Sequence, residues 1–106
     1  IYFNNLIRLE KLLLKSNQIS SIEKNSLKNL IYLELLDLGD NCLFSIDANL
    51  LSNNKKLLQL KLDFNVLSNI DNNSFKNLAN LHEIYLNNNM LTKINLELFK
   101  NLTSLT

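Results

Sequence analysis

The chain has no proline and no tryptophan, and only one residue each of glycine, cysteine, methionine and histidine. Each scarcity removes a class of explanation. A single cysteine, Cys42, leaves no intrachain disulfide framework. One cysteine and one histidine cannot close a four-ligand structural zinc site. Gly39 alone makes no Gly-rich loop for a phosphate. No apolar run approaches the ~18 residues of a membrane helix. The 11 basic and 10 acidic residues are interspersed and leave a net charge of +1. That balance provides neither the basic stripe of a nucleic-acid binder nor a basic amphipathic membrane helix. The composition therefore assigns no metal, no cofactor, no nucleic acid and no direct membrane contact. The opening residues, Ile1-Tyr2-Phe3-Asn4-Asn5, carry no signal-peptide pattern.

What is abundant is leucine, lysine and asparagine. The 106 residues allow one domain, and 46% hydrophobic content suits a folded one. The 20 asparagines are partly explained by position. Asn17, Asn41, Asn65 and Asn89 stand 24 residues apart, and other columns align to them without a gap. Upstream are Leu9, Leu33, Leu57 and Leu81; then Leu12, Leu36, Leu60 and Ile84; then Leu14, Leu38, Leu62 and Leu86. Downstream are Ile19, Leu43, Leu67 and Leu91, and after them Ile22, Ile46, Ile70 and Ile94. Further on are Leu27, Leu51, Phe75 and Phe99, with Phe3 as the tail of an earlier unit. The last apolar column is Leu6, Leu30, Asn54, Leu78 and Leu102, where Asn54 is the one departure. A second asparagine column holds Asn5, Asn29, Asn53, Asn77 and Asn101.

This pattern resembles the leucine-rich-repeat family, LxxLxLxxNxL, in its 24-residue class continuing xxIxxxxFxxLxxL. The resemblance spans the whole chain in four in-phase copies, residues 9–32, 33–56, 57–80 and 81–104. The tail of a preceding repeat (1–8) and the start of another (105–106) flank them. It implies a strand-dominated α/β fold: a right-handed solenoid or horseshoe. A parallel sheet forms the concave face, and short irregular or 3-10 segments form the convex one. Alternation around Leu12-Leu13-Leu14 and its equivalents suits a strand. No turn can bury its leucines alone, so adjacent turns must supply the core. An Asn amide offers two donors and an acceptor, and buried turn backbone needs partners. In the family this column is an asparagine ladder. Asn54 in a leucine column marks the second unit as the expected soft spot.

Ligands in this family most often meet the concave face. The resemblance therefore nominates Tyr85, Phe64, Asp37, Lys61, Asp63, Asp40, Leu13 and Leu35 as contact candidates, with the two aromatics foremost. The bland alternative is a solvated surface in which Lys61 pairs with Asp37 across adjacent strands. Cys42 reads as a small buried hydrophobe, and it is too far along the repeat from His82 to form a nucleophilic pair. Asn72-Asn73-Ser74 and Asn101-Leu102-Thr103 are glycosylation sequons, about as many as chance predicts. Asn72 is the better acceptor, because Asn101 already belongs to an asparagine column. Four strands at ~4.8 Å by five residues at ~3.3 Å give a flat face of roughly 320 Å². A standard interface takes about 800 Å² per partner, so the array reads as part of a longer one. The functional expectation is a protein-binding module of a receptor-like or extracellular protein, not an enzyme. An intracellular scaffold or sensor region, or a spacer without a ligand, are the alternatives.

Overall fold

The computed structural model describes residues 6–105; Phe3 and Asn5 lie outside them. Four strands, β1 (Lys11–Leu13), β2 (Leu35–Asp37), β3 (Gln59–Lys61) and β4 (Glu83–Tyr85), form one parallel sheet in chain order. Lys11 pairs with Leu35, Leu35 with Gln59 and Gln59 with Glu83, so the register advances by one repeat per strand. Each strand spans three residues, but parallel bonding continues past it. Ser16 donates its N–H to the Gly39 carbonyl at 3.1 Å, Asp40 to Asp63 at 2.9 Å and Phe64 to Asn87 at 3.0 Å. Equal repeat length keeps this register. A slip by one residue would turn every core leucine outward.

The core lies between the sheet and the convex turns. Leu36, Leu60 and their equivalents alternate inward, while strand neighbours stay half-buried or exposed. The middle units are the driest: Leu33, Leu38, Leu57, Leu62 and Phe75 are fully buried. In the outer units Leu9, Ile19, Ile84, Leu91 and Phe99 are only partly covered, and Ile94 is exposed despite its isoleucine column. A turn covered on one side alone cannot bury its apolar side chains completely. A further core column escaped the sequence reading. Ser26, Leu50, Ser74 and Leu98 are all buried, one residue ahead of the Leu27, Leu51, Phe75 and Phe99 column. Alternating serine and leucine conceals it from an apolar count.

The convex segments are tight turns, with one 3-10 helix at Leu96–Phe99. Ser26, Leu50, Ser74 and Leu98 each donate to a carbonyl three residues back. Asp47, Asp71 and Asn95 cap these turns, their Oδ1 accepting from Asn49, Asn73 and Glu97 N–H at 2.8, 2.8 and 2.9 Å. Such side chains compete well for turn backbone, a third polar column that explains two of the remaining acids, Asp47 and Asp71. Between turns, the Asn53 amide donates to the Lys28 carbonyl at 3.0 Å and the Asn77 amide to Ser52 at 3.1 Å. Asn54 is fully buried, not a gap in the core. Its Nδ2 donates at 3.0 Å to both the Leu27 and Leu30 carbonyls, while its Oδ1 has no partner. The second unit is thereby tied to the first, with one buried oxygen left unpartnered.

Candidate binding surface

The turn that ends each strand is built by the 24-residue asparagines. Asn41 Oδ1 accepts from the N–H groups of Asn17 and Ile19, both at 3.1 Å, and its Nδ2 donates to the Leu14 and Leu38 carbonyls at 3.0 Å. Asn65 repeats this one turn on, accepting from Leu43 N–H at 3.0 Å and donating to Leu38 and Leu62. Asn89 does so with Leu67 N–H, Leu62 and Leu86. Asn17 is exposed, and its Nδ2 donates to the Leu14 and Lys15 carbonyls. Each internal carbonyl thus serves two consecutive amides. The residue before each asparagine is left-handed: Ser16, Asp40, Phe64 and Asn88 have φ of 52–61°. Ser, Asp and Asn tolerate this conformation, whereas a bulky aromatic rarely occupies it. Phe64 does so while half its surface faces solvent.

On the concave face the last two strands carry a connected polar group. Tyr85 Oη donates to Glu83 Oε2 at 2.7 Å, and Gln59 Nε2 donates to Glu83 Oε1 at 2.9 Å. Tyr85's hydrogen bond first, then Gln59's, hold the Glu83 carboxyl below the usual carboxylate range. The same bond and the Glu83 charge raise the Tyr85 phenol above its ordinary value. The Lys61 ammonium lies 5.4 Å over the Tyr85 ring, a cation–π separation. Lys61 makes no ion pair with Asp37, although their Cα atoms are register partners. The expected surface pair is therefore replaced by a cation on an aromatic ring. Asp37 Oδ1 accepts from Gly39 N–H at 3.0 Å. A Cβ on Gly39 would lie 3.0 Å from Asp63 Oδ1 and 3.2 Å from Asp37 Oδ1, so the two carboxylates converge over the glycine.

The remaining candidates are dispersed. Leu13 is exposed on β1, and Leu35 is half-buried beside a shallow groove also lined by Lys11, Leu58 and Gln59. Asp40 is exposed and accepts from the Ser16 hydroxyl at 2.8 Å. Asn72 and Asn101 are both exposed on the convex side. Cys42 is exposed rather than buried, because its column faces outward from the turn after the ladder. Among the described residues no group of His, Cys, Asp or Glu could hold a metal ion, and no helix is long and apolar enough to cross a membrane. The flank where the chain enters the strands gathers Arg8, Lys28, Lys55, Lys56, Lys76 and Lys100 without a carboxylate in those columns. There Tyr32 stands 5.9 Å from the Arg8 guanidinium and 4.5 Å from the Lys56 ammonium.

A parallel sheet of short strands in 24-residue register, closed by a ladder of amides, defines a leucine-rich-repeat solenoid. The chain belongs to that family: the profile described as "BspA type Leucine rich repeat region (6 copies)" matches residues 1–106. No curated protein matches the chain by sequence. Among solved structures it is similar to TLR13 from the TLR13–ssRNA13 complex, with 35% identity and a TM-score of 0.91 over 97% of this chain and 14% of that one. It is also similar to a chain of the Toll–Spatzle complex of Drosophila, with 31% identity, a TM-score of 0.89, and 92% and 13% coverage. An internalin of Listeria monocytogenes shows 28% identity and a TM-score of 0.78, with 96% and 28% coverage. The chain spans less than a third of each of these structures.

Proposed function

We propose that the concave face is a recognition surface for another protein, with Tyr85 as its aromatic anchor and Phe64, Asp37, Lys61, Asp63, Asp40, Leu13 and Leu35 around it. The observation that carries this reading is the preorganised Tyr85. It is exposed, yet fixed by Glu83 beneath its hydroxyl and Lys61 over its ring. A side chain already ordered loses little entropy on binding. The face also favours protein over nucleic acid. The strands and their flanks, residues 10–16, 34–40, 58–64 and 82–88, carry six carboxylates against three lysines, and phosphates would be repelled. That Toll was solved with Spatzle supports a protein partner; in a receptor-like, extracellular setting, Asn72 and Asn101 would be exposed acceptors for glycans. An intracellular scaffold would use the same face.

The test is photocrosslinking. Benzoylphenylalanine in place of Tyr85 should capture a protein, and Asp37→Asn with Lys61→Ala should diminish the capture. The same label in place of Asn73 should capture little. Equal capture at both positions would leave a spacer without a ligand. Whether the captured protein comes from a secreted or a cytosolic pool decides the setting.

A further inference from the structure

Away from the concave network, the flank where the chain enters the strands holds six cations, Arg8, Lys28, Lys55, Lys56, Lys76 and Lys100, all of them exposed. They come from stacked stretches, residues 28–32, 52–56, 76–80 and their equivalents, that contain no carboxylate. Side-chain amides join these stretches from turn to turn. Asn53 and Asn77 donate to the Lys28 and Ser52 carbonyls at 3.0 and 3.1 Å, and Asn80 donates to the Lys55 carbonyl at 3.2 Å. The backbone that carries the lysines is therefore fixed, and the cations fall in files along the solenoid axis. Lys28, Lys76 and Lys100 share one column, at steps of ~10 and ~5 Å, and Arg8 and Lys56 share another, ~10 Å apart. The carboxylates nearest along the chain lie at the borders. Glu10 and Glu34 stand two residues past Arg8 and Tyr32, toward the strands, and Glu97 pairs with Lys100 at 2.9 Å. Among the described residues the other five cations are in no ion pair.

The surroundings of these cations indicate the kind of anion they suit. Tyr32 sits in the turn between Arg8 and Lys56, with the two cations 5.9 and 4.5 Å from its ring centre. Single-stranded nucleic acid stacks its bases on free aromatic platforms, and this ring is already engaged. All of the cations except Arg8 are lysines, point charges without the arginine fork that matches phosphate. Beside the ring runs a shallow groove lined by Ile31, Tyr32, Asn53, Lys55 and Lys56. It sets an apolar side chain, an amide oxygen and two ammonium groups next to one another. A sulfated sugar carries the matching set: an apolar C–H face, hydroxyls and sulfates. We propose that this flank binds a linear sulfated polysaccharide lying along the solenoid axis, its sulfates on the lysine files and one sugar ring in the groove beside Tyr32. The flank and the concave face are separate surfaces, so the site stands without the concave-face reading.

The probe is a fluorescein-labelled heparin oligosaccharide, followed by anisotropy. It should bind at low salt, with an affinity that falls steeply as salt rises, because a polyanion releases counterions when lysines pair with it. Lys28→Gln with Lys76→Gln should weaken binding about tenfold, and Lys55→Gln with Lys56→Gln by a similar factor. Lys15→Gln with Lys93→Gln removes the same charge elsewhere on the surface and should leave binding within about twofold. Chemically desulfated heparin should not compete. All of the exchanged side chains are exposed, and circular dichroism of each variant checks that it remains folded. No binding at low salt overturns the proposal. So does an equal loss in the Lys15 and Lys93 variant, which would reduce the effect to net charge, and so does competition by the desulfated polymer. Stronger competition by polyuridylate or by polyglutamate at equal charge would assign the flank to nucleic acid or to an acidic protein instead. Tighter binding to phosphatidylserine vesicles than to heparin would assign it to a membrane.

Discussion

Truncating Asn65 to alanine removes a set of hydrogen bonds whose cost can be worked out group by group. Its Nδ2 donates to the Leu38, Leu62 and Asp63 carbonyls at 3.0, 3.1 and 3.3 Å, and its Oδ1 accepts from Leu43 N–H at 3.0 Å. The carbonyls are not orphaned by the change. Leu38 keeps the Asn41 amide, Leu62 keeps that of Asn89, and Asp63 keeps the N–H of Asp40. Leu43 N–H is left with no acceptor inside a buried turn. An orphaned buried donor costs about 1–3 kcal/mol, and each shared bond lost adds about 0.5 kcal/mol at the low end of the net range. The sum is about 3 kcal/mol. The exposed side chain of Asn73 makes no hydrogen bond, so Asn73→Ala should stay within about 0.5 kcal/mol of wild type. Asn17, whose Oδ1 accepts from none of the described residues and whose Nδ2 shares the Leu14 carbonyl with Asn41, should also cost little. Asn65→Asp should not rescue, because it places a carboxylate against the Leu38 and Leu62 carbonyls. Urea unfolding of the four variants measures all of this. If Asn65→Ala matches Asn73→Ala, or if Asn17→Ala costs as much as Asn65→Ala, the ladder does not stabilise the stack as described.

Three further outcomes follow from individual residues. Phe64→Asn should stabilise the fold by about 1 kcal/mol, because asparagine tolerates the left-handed conformation better; a lower melting temperature would show that the ring packs more than it strains. Asn54→Leu should stabilise by about 1 kcal/mol. The lost amide bonds cost about 2 kcal/mol, since the Leu27 and Leu30 carbonyls keep their turn donors, while burial of leucine and removal of the partnerless Oδ1 return about 3 kcal/mol. A destabilised variant would mean that the amide bridge outweighs both. Glu83 titrates below its ordinary range when folded, so its contribution is present above its unfolded pKa of about 4.3 and lost as pH falls through the lower folded value. Tyr85→Phe should raise the Glu83 pKa in an NMR titration and flatten the loss of stability in that acid window; an unmoved carboxyl would place the cause elsewhere. The Tyr85 phenol, raised by Glu83, contributes fully below pH about 10 and loses that contribution as pH rises through its folded pKa.

The sequence by itself determined the repeat length, the places of the strands and most of the core. A 24-residue period in Leu12, Leu36 and Leu60 leaves one register in which every leucine points inward, and any slip exposes them all. The polar columns were legible only where one residue type recurs, as with Asn41, Asn65 and Asn89. The capping set Asp47, Asp71 and Asn95 and the mixed Ser26, Leu50, Ser74, Leu98 column change residue type from turn to turn, and escaped. The tertiary structure alone decided what depends on contact between turns. It joined Asn54 to the Leu27 and Leu30 carbonyls, and drew Lys61 to the Tyr85 ring instead of Asp37. Those partners lie about a repeat apart in sequence and within bonding reach in space. Periodicity shows which turn stacks on which, but the direction of each surface side chain is chosen among several neighbours by packing and hydrogen bonding, which no single column contains.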